Sequence, residues 1–324
     1  MSTVETDVPR DVRSRPIWLF AWPLLGGLLI LLQIYVFGSW LLSGPTAPNA
    51  GPDPLPAFSR YGLILFQVAM VLIGIGGVVY IARTLWKRQR LSLFQLTMIG
   101  WLLTWWQDPL VSMARRGFTY NSHLFNAGCW CDHVPGWTSE NGAQYVEPLL
   151  ITPAAYLVLL PLGGLFGAKI MAWAAQRWPR LHDGLIFVIG WLGISLFFQF
   201  PLELVATRLI HVDVWLGSPG SISLWGNHFY KMPGYEFPLF GLALAITGWM
   251  LYCAQRAGGT SFLEHQVTRT GVTGKRAEAL RVLAVVGYAN FSNAVYIALF
   301  VIISIVFESS FPADTPSWVL YGRF

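Results

Sequence analysis

The chain has 324 residues, of which 55% are hydrophobic and only 11% charged, and its mean hydropathy is +0.52. Soluble domains carry about 25% charged residues, so this deficit marks an integral membrane protein. The net charge of +5 and isoelectric point near 9.2 would suit nucleic acid, but the basic residues follow membrane topology instead of forming a patch, which excludes that partner.

Residues 1–16 form a polar, Arg-containing leader. Seven stretches then meet the roughly 20-residue requirement for a lipid-crossing helix: Ile17–Ser43, Tyr61–Trp86, Leu91–Asp108, Leu149–Ala175, Gly184–Thr207, Phe237–Ala254 and Val282–Phe307. The first is far longer than the ~7–15-residue core of a signal peptide and is expected to be retained. Gly44-Pro45 and Gly51-Pro52 break the chain after it, and the 16 Trp suit anchoring at membrane interfaces. Gly74-Ile75-Gly76-Gly77 lies inside a span, where glycine allows close helix packing. No phosphate-cradling glycine motif occurs, so no soluble cofactor is indicated. There is no internal repeat. The expected fold is all-α, one domain over 1–324, a polytopic seven-transmembrane bundle whose main partner is the lipid bilayer; the oligomeric state stays open.

Lys and Arg accumulate in cytoplasmic loops. With the N-terminus inside, the inner segments hold Arg10, Arg13, Arg15, Arg83, Lys87, Arg88, Arg90, Lys169, Arg177, Arg180, Arg256, Arg269, Lys275, Arg276 and Arg281. Only Arg60, Arg115, Arg116, Arg208, Lys231 and Arg323 fall outside. The expectation is N-terminus in and C-terminus out, in a bacterial cell membrane. The long outer loops are then 109–148 and 208–236, which hold His123, His133, His211 and His228. Long loops rich in aromatic and polar residues commonly carry function.

A carboxylate within a span costs a few kcal/mol and is by default a functional candidate. Asp108 lies roughly 25 Å along the third span and Glu203 about 28 Å along the fifth. Glu147 and Glu236 flank the outer starts of the fourth and sixth. The four approach one depth, as a cavity mouth would require, although each alone could be an interfacial residue or pair with Arg115, Arg116 or Arg208. In the seventh span Asn290 and Asn293 share one helical face near mid-membrane. They either join helices by hydrogen bonds or floor a polar pocket, with Gln199 and Gln67 as further lining.

The densest chemistry is Trp105-Trp106-Gln107-Asp108-Pro109, followed by Arg115-Arg116-Gly117-Phe118-Thr119-Tyr120-Asn121-Ser122-His123-Leu124-Phe125-Asn126 and Cys129-Trp130-Cys131-Asp132-His133-Val134-Pro135-Gly136. Pro109 is expected to stop the helix just beyond Asp108. The mix suits an apolar, oxygenated small-molecule substrate, with aromatic faces against hydrocarbon and amides or acids on hydroxyls. Cys129, Cys131 and His133 could ligate zinc, but the spacing is short and no second Cys pair exists. A bridge between residues two apart would be strained, so two thiols and no metal are expected.

These three runs, over about 101–148, resemble the AveC family of membrane spirocyclases, named for the avermectin spiroketal-forming enzyme. The resemblance implies a cyclase of polyketide biosynthesis that closes a dihydroxy-ketone into a spiroketal, with a dehydratase activity beside it. Ketal closure is acid-catalysed, needing a sheltered carboxylic acid, a second carboxylate and an apolar wall. Asp108 is the expected general acid, with Glu203 or Glu236 as its partner. Gln107, Tyr120, Asn121, Asn126, His228, Asn290 and Asn293 are expected to orient substrate, and Trp106 and Trp130 to wall the pocket. A different terpenoid or steroid cyclase or isomerase would use the same acids. A non-enzymatic lipid-binding or transport bundle would not need them gathered. The last span lacks the Lys of a retinal protein, and no paired broken helices point to a transporter.

Overall fold

The computed structural model of the chain describes residues 17–307 and 310–320; the leader 1–16 and Arg323 lie outside them. In chain order the α-helices are α1 (Ile17–Leu42), α2 (Ala57–Trp86), α3 (Leu93–Leu102), α4 (Thr152–Arg177), α5 (Asp183–Ile210), α6 (Glu236–Arg256), α7 (Phe262–Arg269) and α8 (Gly274–Val306). All but α3 and α7 are long and apolar enough to cross a membrane. The chain is a multi-pass membrane protein. Leu28, Leu31 and Ile34 on α1 and Leu65, Leu72 and Ile75 on α2 are exposed, a surface for which hydrocarbon is the fitting solvent.

Six of the expected spans correspond to these long helices, five within four residues at each end and the last, α8, starting eight residues before the expected Val282. The third does not. α3 begins with a Ser92–Gln95 capping box but ends at Leu102, six residues before Asp108, and the chain continues as a 3-10 helix over Trp105–Ser112 with Pro109 inside it. Proline cannot donate to an α-helical ladder and disfavours α geometry in the residue before it, so the tighter helix carries Asp108 instead. π-helical turns interrupt α4 at Ala155–Leu159 and α5 at Ser195–Gln199 and Leu204–Ile210.

The two ends of the bundle differ. At one, Trp18 lies under the Arg269 guanidinium at 5.2 Å, Gln266 donates to the Trp18 carbonyl, and Arg281 pairs with Glu264 at 2.5 Å. At the other, the two long loops fold onto each other: β1 (Thr119–Tyr120) pairs antiparallel with β2 (Asp213–Val214), and β3 (Ser223–Leu224) pairs antiparallel with β4 (Met232–Pro233). Residues 310–320 return to this cap, where the Ser122 N–H donates to the Trp318 carbonyl at 3.0 Å and the Asp53 N–H to Ser317 Oγ at 2.9 Å. The cap also corrects the expectation of two thiols: Cys129 and Cys131 form a disulfide. The chain bends at Trp130 so that their Cα atoms stand 5.2 Å apart, inside the ordinary range for a bridge.

Small residues set the helix packing. A Cβ on Gly287 of α8 would stand 2.3 Å from the Trp22 carbonyl oxygen, and one on Gly26 of α1 would stand 2.1 Å from that of Leu283. α1 and α8 therefore touch backbone to backbone. Gly27, beside the contact, has open space around it. Gly26→Leu or Gly287→Leu should cost roughly 1–3 kcal/mol through overpacking, seen as a lower thermal midpoint in detergent. Gly27→Leu should leave that midpoint within error.

Candidate active site

A cavity of about 130 Å³ lies beneath the cap, walled by α2, α4, α5, α6, α8 and the 3-10 helix. Four carboxyls line it: Asp108, Glu203, Asp213 and Glu236. Its lining holds no Lys or Arg among the described residues. Most of the remaining wall is aliphatic or aromatic, including Phe118, Trp215 and Ile297.

On one side, the 3-10 helix presents Asp108 to two phenols. Tyr120 of β1 donates to Oδ2 and Tyr156 of α4 donates to Oδ1, both at 2.8 Å. The Glu147 carboxyl abuts Asp108 from behind, and Trp105 Nε1 donates to its Oε1 at 2.7 Å. Burial, then the Asp108 charge, pushes Glu147 well above the usual carboxylate range. Burial, then the same charge, raises Tyr120 well above an ordinary phenol, which keeps it a donor.

On the other side, Thr207 Oγ1 sits 2.8 Å from Glu203 Oε1 and 2.6 Å from Asp213 Oδ1. A hydroxyl has one proton and donates to one of these carboxyls, so the other brings its own. Burial first, and the Glu203 charge second, push Asp213 well above the usual carboxylate range. The Trp215 indole N–H also donates to Glu203 Oε1. Gln199 Nε2 donates to Glu236 Oε1 at 3.3 Å. The floor is a chain of amides in which Asn293 donates to Gln107, Gln107 to Asn290 and Asn290 to the Val286 carbonyl. Three of the lining residues keep a buried acceptor with no partner within the protein: Gln199 Oε1, Glu236 Oε2 and Asn293 Oδ1.

Of the residues expected from sequence, Asp108, Glu203, Glu236, Gln107, Tyr120, Asn293 and Gln199 are brought together around this chamber. The others stand elsewhere and need a corrected placement. Trp130 packs away from the chamber on Phe37, Trp40 and Trp105, its N–H donating to the Trp106 carbonyl. Trp106 is held there and donates to Asn290, which supports the floor from below. Asn121 braces the cap by donating to the His211 carbonyl, and Asn126 closes its own loop on Leu124 and Gly128. His228 lies on the surface, its Nδ1 2.9 Å from Asp314 Oδ2. Gln67 accepts from the Phe125 N–H at the edge of the cap. With its two sulfurs bonded together and His133 beside Ser43, the Cys129–Cys131–His133 trio offers no ligand set.

Sequence reasoning missed Asp213, Tyr156 and Tyr296 as lining residues. Asp213 has a weak signal: it stands between Val212 and Val214 and before Trp215, an alternation unlike a hydrated loop. Tyr296 follows Asn293 by three residues and so shares its helix face.

A family model described as "Spirocyclase AveC-like" matches residues 87–318, well over half of the chain, and spans every chamber residue except Phe66. No curated protein and no solved structure matches the chain.

One titration lies in the cap. His211, at a left-handed backbone position with φ 56°, meets Ser59 Oγ at 2.8 Å through Nδ1, and its ring packs on Phe229 and Trp318. Burial, helped by the Arg208 charge, lowers it from 6.5 to about 4. The folded state therefore holds neutral His211 while the unfolded chain takes up a proton. Its contribution is full above pH 6.5 and drains away as the pH falls through about 4. The thermal midpoint of the protein should fall across that window, and His211→Asn, which tolerates the left-handed backbone, should flatten the slope.

Proposed function

Because the chain belongs to the AveC-like spirocyclase family, we propose that its chamber closes a dihydroxy-ketone, of polyketide or lipid-like character, into a spiroketal with loss of one water. The observation that carries this reading is the set of four carboxyls and three unpartnered acceptors around one mostly apolar cavity. An apolar chain bearing several hydroxyls would satisfy those acceptors while filling the remainder.

The chemistry divides between the two sides. Addition of one hydroxyl to the ketone gives a hemiketal. Asp108 delivers a proton to the hemiketal hydroxyl, water leaves, and an oxocarbenium ion forms. Glu147, behind Asp108, supplies the proton that Asp108 passes on, and the pair is recharged after each turnover by the proton released at ring closure. The Glu203–Thr207–Asp213 group and Glu236 face the cation, and one of their carboxylates takes the proton released when the second hydroxyl closes the ring. The stereochemistry follows from the shape in which Phe118, Trp215 and Ile297 hold the chain. Dehydration at a neighbouring carbon needs the same proton delivery to a leaving oxygen and belongs to the same proposal.

Two observations support the orientation. The end carrying Arg83, Lys87, Arg88, Arg177 and Arg269 is the basic one. The capped end holds the Cys129–Cys131 disulfide, a bond of oxidising compartments. α3 and the 3-10 helix together make the seventh crossing, the N-terminus is cytoplasmic, and the chamber opens near the outer half of a bacterial cell membrane. A C-terminal alkaline phosphatase fusion should be active and a C-terminal green fluorescent protein fusion dark; the reverse pattern would invert the topology.

For the chemistry, purified protein in nanodiscs is given a dihydroxy-ketone and the loss of water is followed by mass spectrometry. Asp108→Asn and Glu203→Gln should each lower kcat by roughly 100-fold or more while the fold persists by circular dichroism. Full turnover in both variants would sink the acid assignment. A product isomerised without loss of water would move the reaction to the terpenoid or steroid class.

A further inference from the structure

The chamber is closed toward water. Its lining residues from the cap, Phe118, Tyr120, Ile151, Val212, Asp213 and Trp215, are all buried. The β1–β2 pairing and the returning Trp318 segment hold them in place. Any route through the cap would have to part these elements.

The side wall is different. Apart from Asp108 and Phe240, the lining residues that keep accessible surface are Phe66, Ala155, Leu159 and Leu202, all apolar and contributed by α2, α4 and α5. α2 lies across the junction of the other two. Near its capped end, a Cβ on Gly62 would stand 2.6 Å from the Ile210 side chain of α5. Farther along, Cβ atoms on Gly74 and Gly77 would stand 3.0 Å from Ala154 and 2.6 Å from Val158 of α4. These contacts lie twelve residues apart, about 18 Å along the helix. Between them, Phe66 is the α2 side chain that reaches the cavity. The α4 edge of this opening is π-helical over Ala155–Leu159, and on α5 the Leu202 turn runs directly into the π-helical Leu204–Ile210. Such turns interrupt the regular ladder and recur at functional sites. The wall is therefore tight above and below, and its middle is filled by one ring at hydrocarbon depth.

We propose that the chamber is reached sideways from within the bilayer, through an apolar window between α4 and α5 that the Phe66 side chain closes, and that its substrate is a membrane-dissolved, hydroxylated hydrocarbon chain. This rests on the reading of the chamber as the reaction site, because it names what that site receives. The window admits apolar bodies and excludes solvated ions, so a hydroxylated chain arrives with its hydrocarbon part leading and meets the unpartnered acceptors inside.

Two carbodiimides that differ in solubility test the route without a substrate. A carboxylic acid adds across the C=N bond of a carbodiimide, and the adduct rearranges to a stable N-acylurea that peptide mass spectrometry locates. The protein is reconstituted in phosphatidylcholine vesicles and treated in parallel with dicyclohexylcarbodiimide, which dissolves in the bilayer, and with the cationic water-soluble ethyl(dimethylaminopropyl)carbodiimide. The bilayer reagent should modify Glu203, Glu236 or Asp108, while the aqueous reagent should modify only exposed acids such as Glu140 and leave the chamber untouched. Phe66→Trp should slow chamber labelling at least several-fold and Phe66→Ala should quicken it. Val68→Trp, on the exposed face of α2, should leave the rate unchanged. Equal labelling of the chamber by the aqueous reagent, no chamber labelling by either, or rates indifferent to both Phe66 variants would overturn the window. Labelling does not depend on turnover, so a chamber that labels from the bilayer yet closes no ketal would retain the window and lose the cyclase reading. Turnover with labelling from water would do the reverse.

Discussion

Acidic side chains held in an oily interior without a cation to neutralise them constrain the rest of this structure. Charge isolated at that depth is costly, so each carboxyl has to be supplied with protons or donors from the protein itself. Asp108 has two phenols, Glu203 a hydroxyl and an indole, Glu147 an indole and Glu236 an amide. Those donors come from α4, α5, the 3-10 helix and both long loops, so meeting the need of four or five acids ties most of the chain to one point. The interhelical glycines and the cap are what bring the donors within reach.

The same constraint explains why the loops behave as they do. A connection at a membrane surface is ordinarily hydrated and mobile, yet here β1 delivers Tyr120 and β2 delivers Asp213 to opposite sides of the chamber. Their pairing fixes how the two sides face each other. Asn121, expected to touch substrate, instead supports that pairing through the His211 carbonyl. Trp130 likewise acts at a distance, holding the Trp106 carbonyl one residue before Gln107 and two before Asp108.

Much of this was legible in the residue order. Long apolar runs reveal helices because the bilayer leaves the backbone no other economy of hydrogen bonds, and six of the runs became long helices. Asp108, Glu203 and Glu236 stood out because, although each alone could be interfacial, together they approach one depth from different helices. What stayed hidden was whatever depends on contacts distant in sequence. The 3-10 geometry after Leu102 reflects Pro109 together with packing on Asn290 and Glu147. Trp and Asn are ambiguous because the same groups that recognise a ligand also bind loops together, and in the cap they mostly do the latter. Tyr156 was invisible among its aliphatic neighbours, since only the fold places its hydroxyl on Asp108.

The amide floor has a consequence for biogenesis. Asn290 and Asn293 belong to the last long helix, whereas the acids they underlie are made earlier, Asp108 nearly two hundred residues before. During synthesis Glu203 and Glu236 enter the membrane before Gln107 has its amide partners and before Trp318 can latch the cap. A nascent chain halted short of α8 would thus present ionisable groups to lipid with their support unfinished. Sealing of the interior is a late event that waits for α8 and for the Trp318 segment after it.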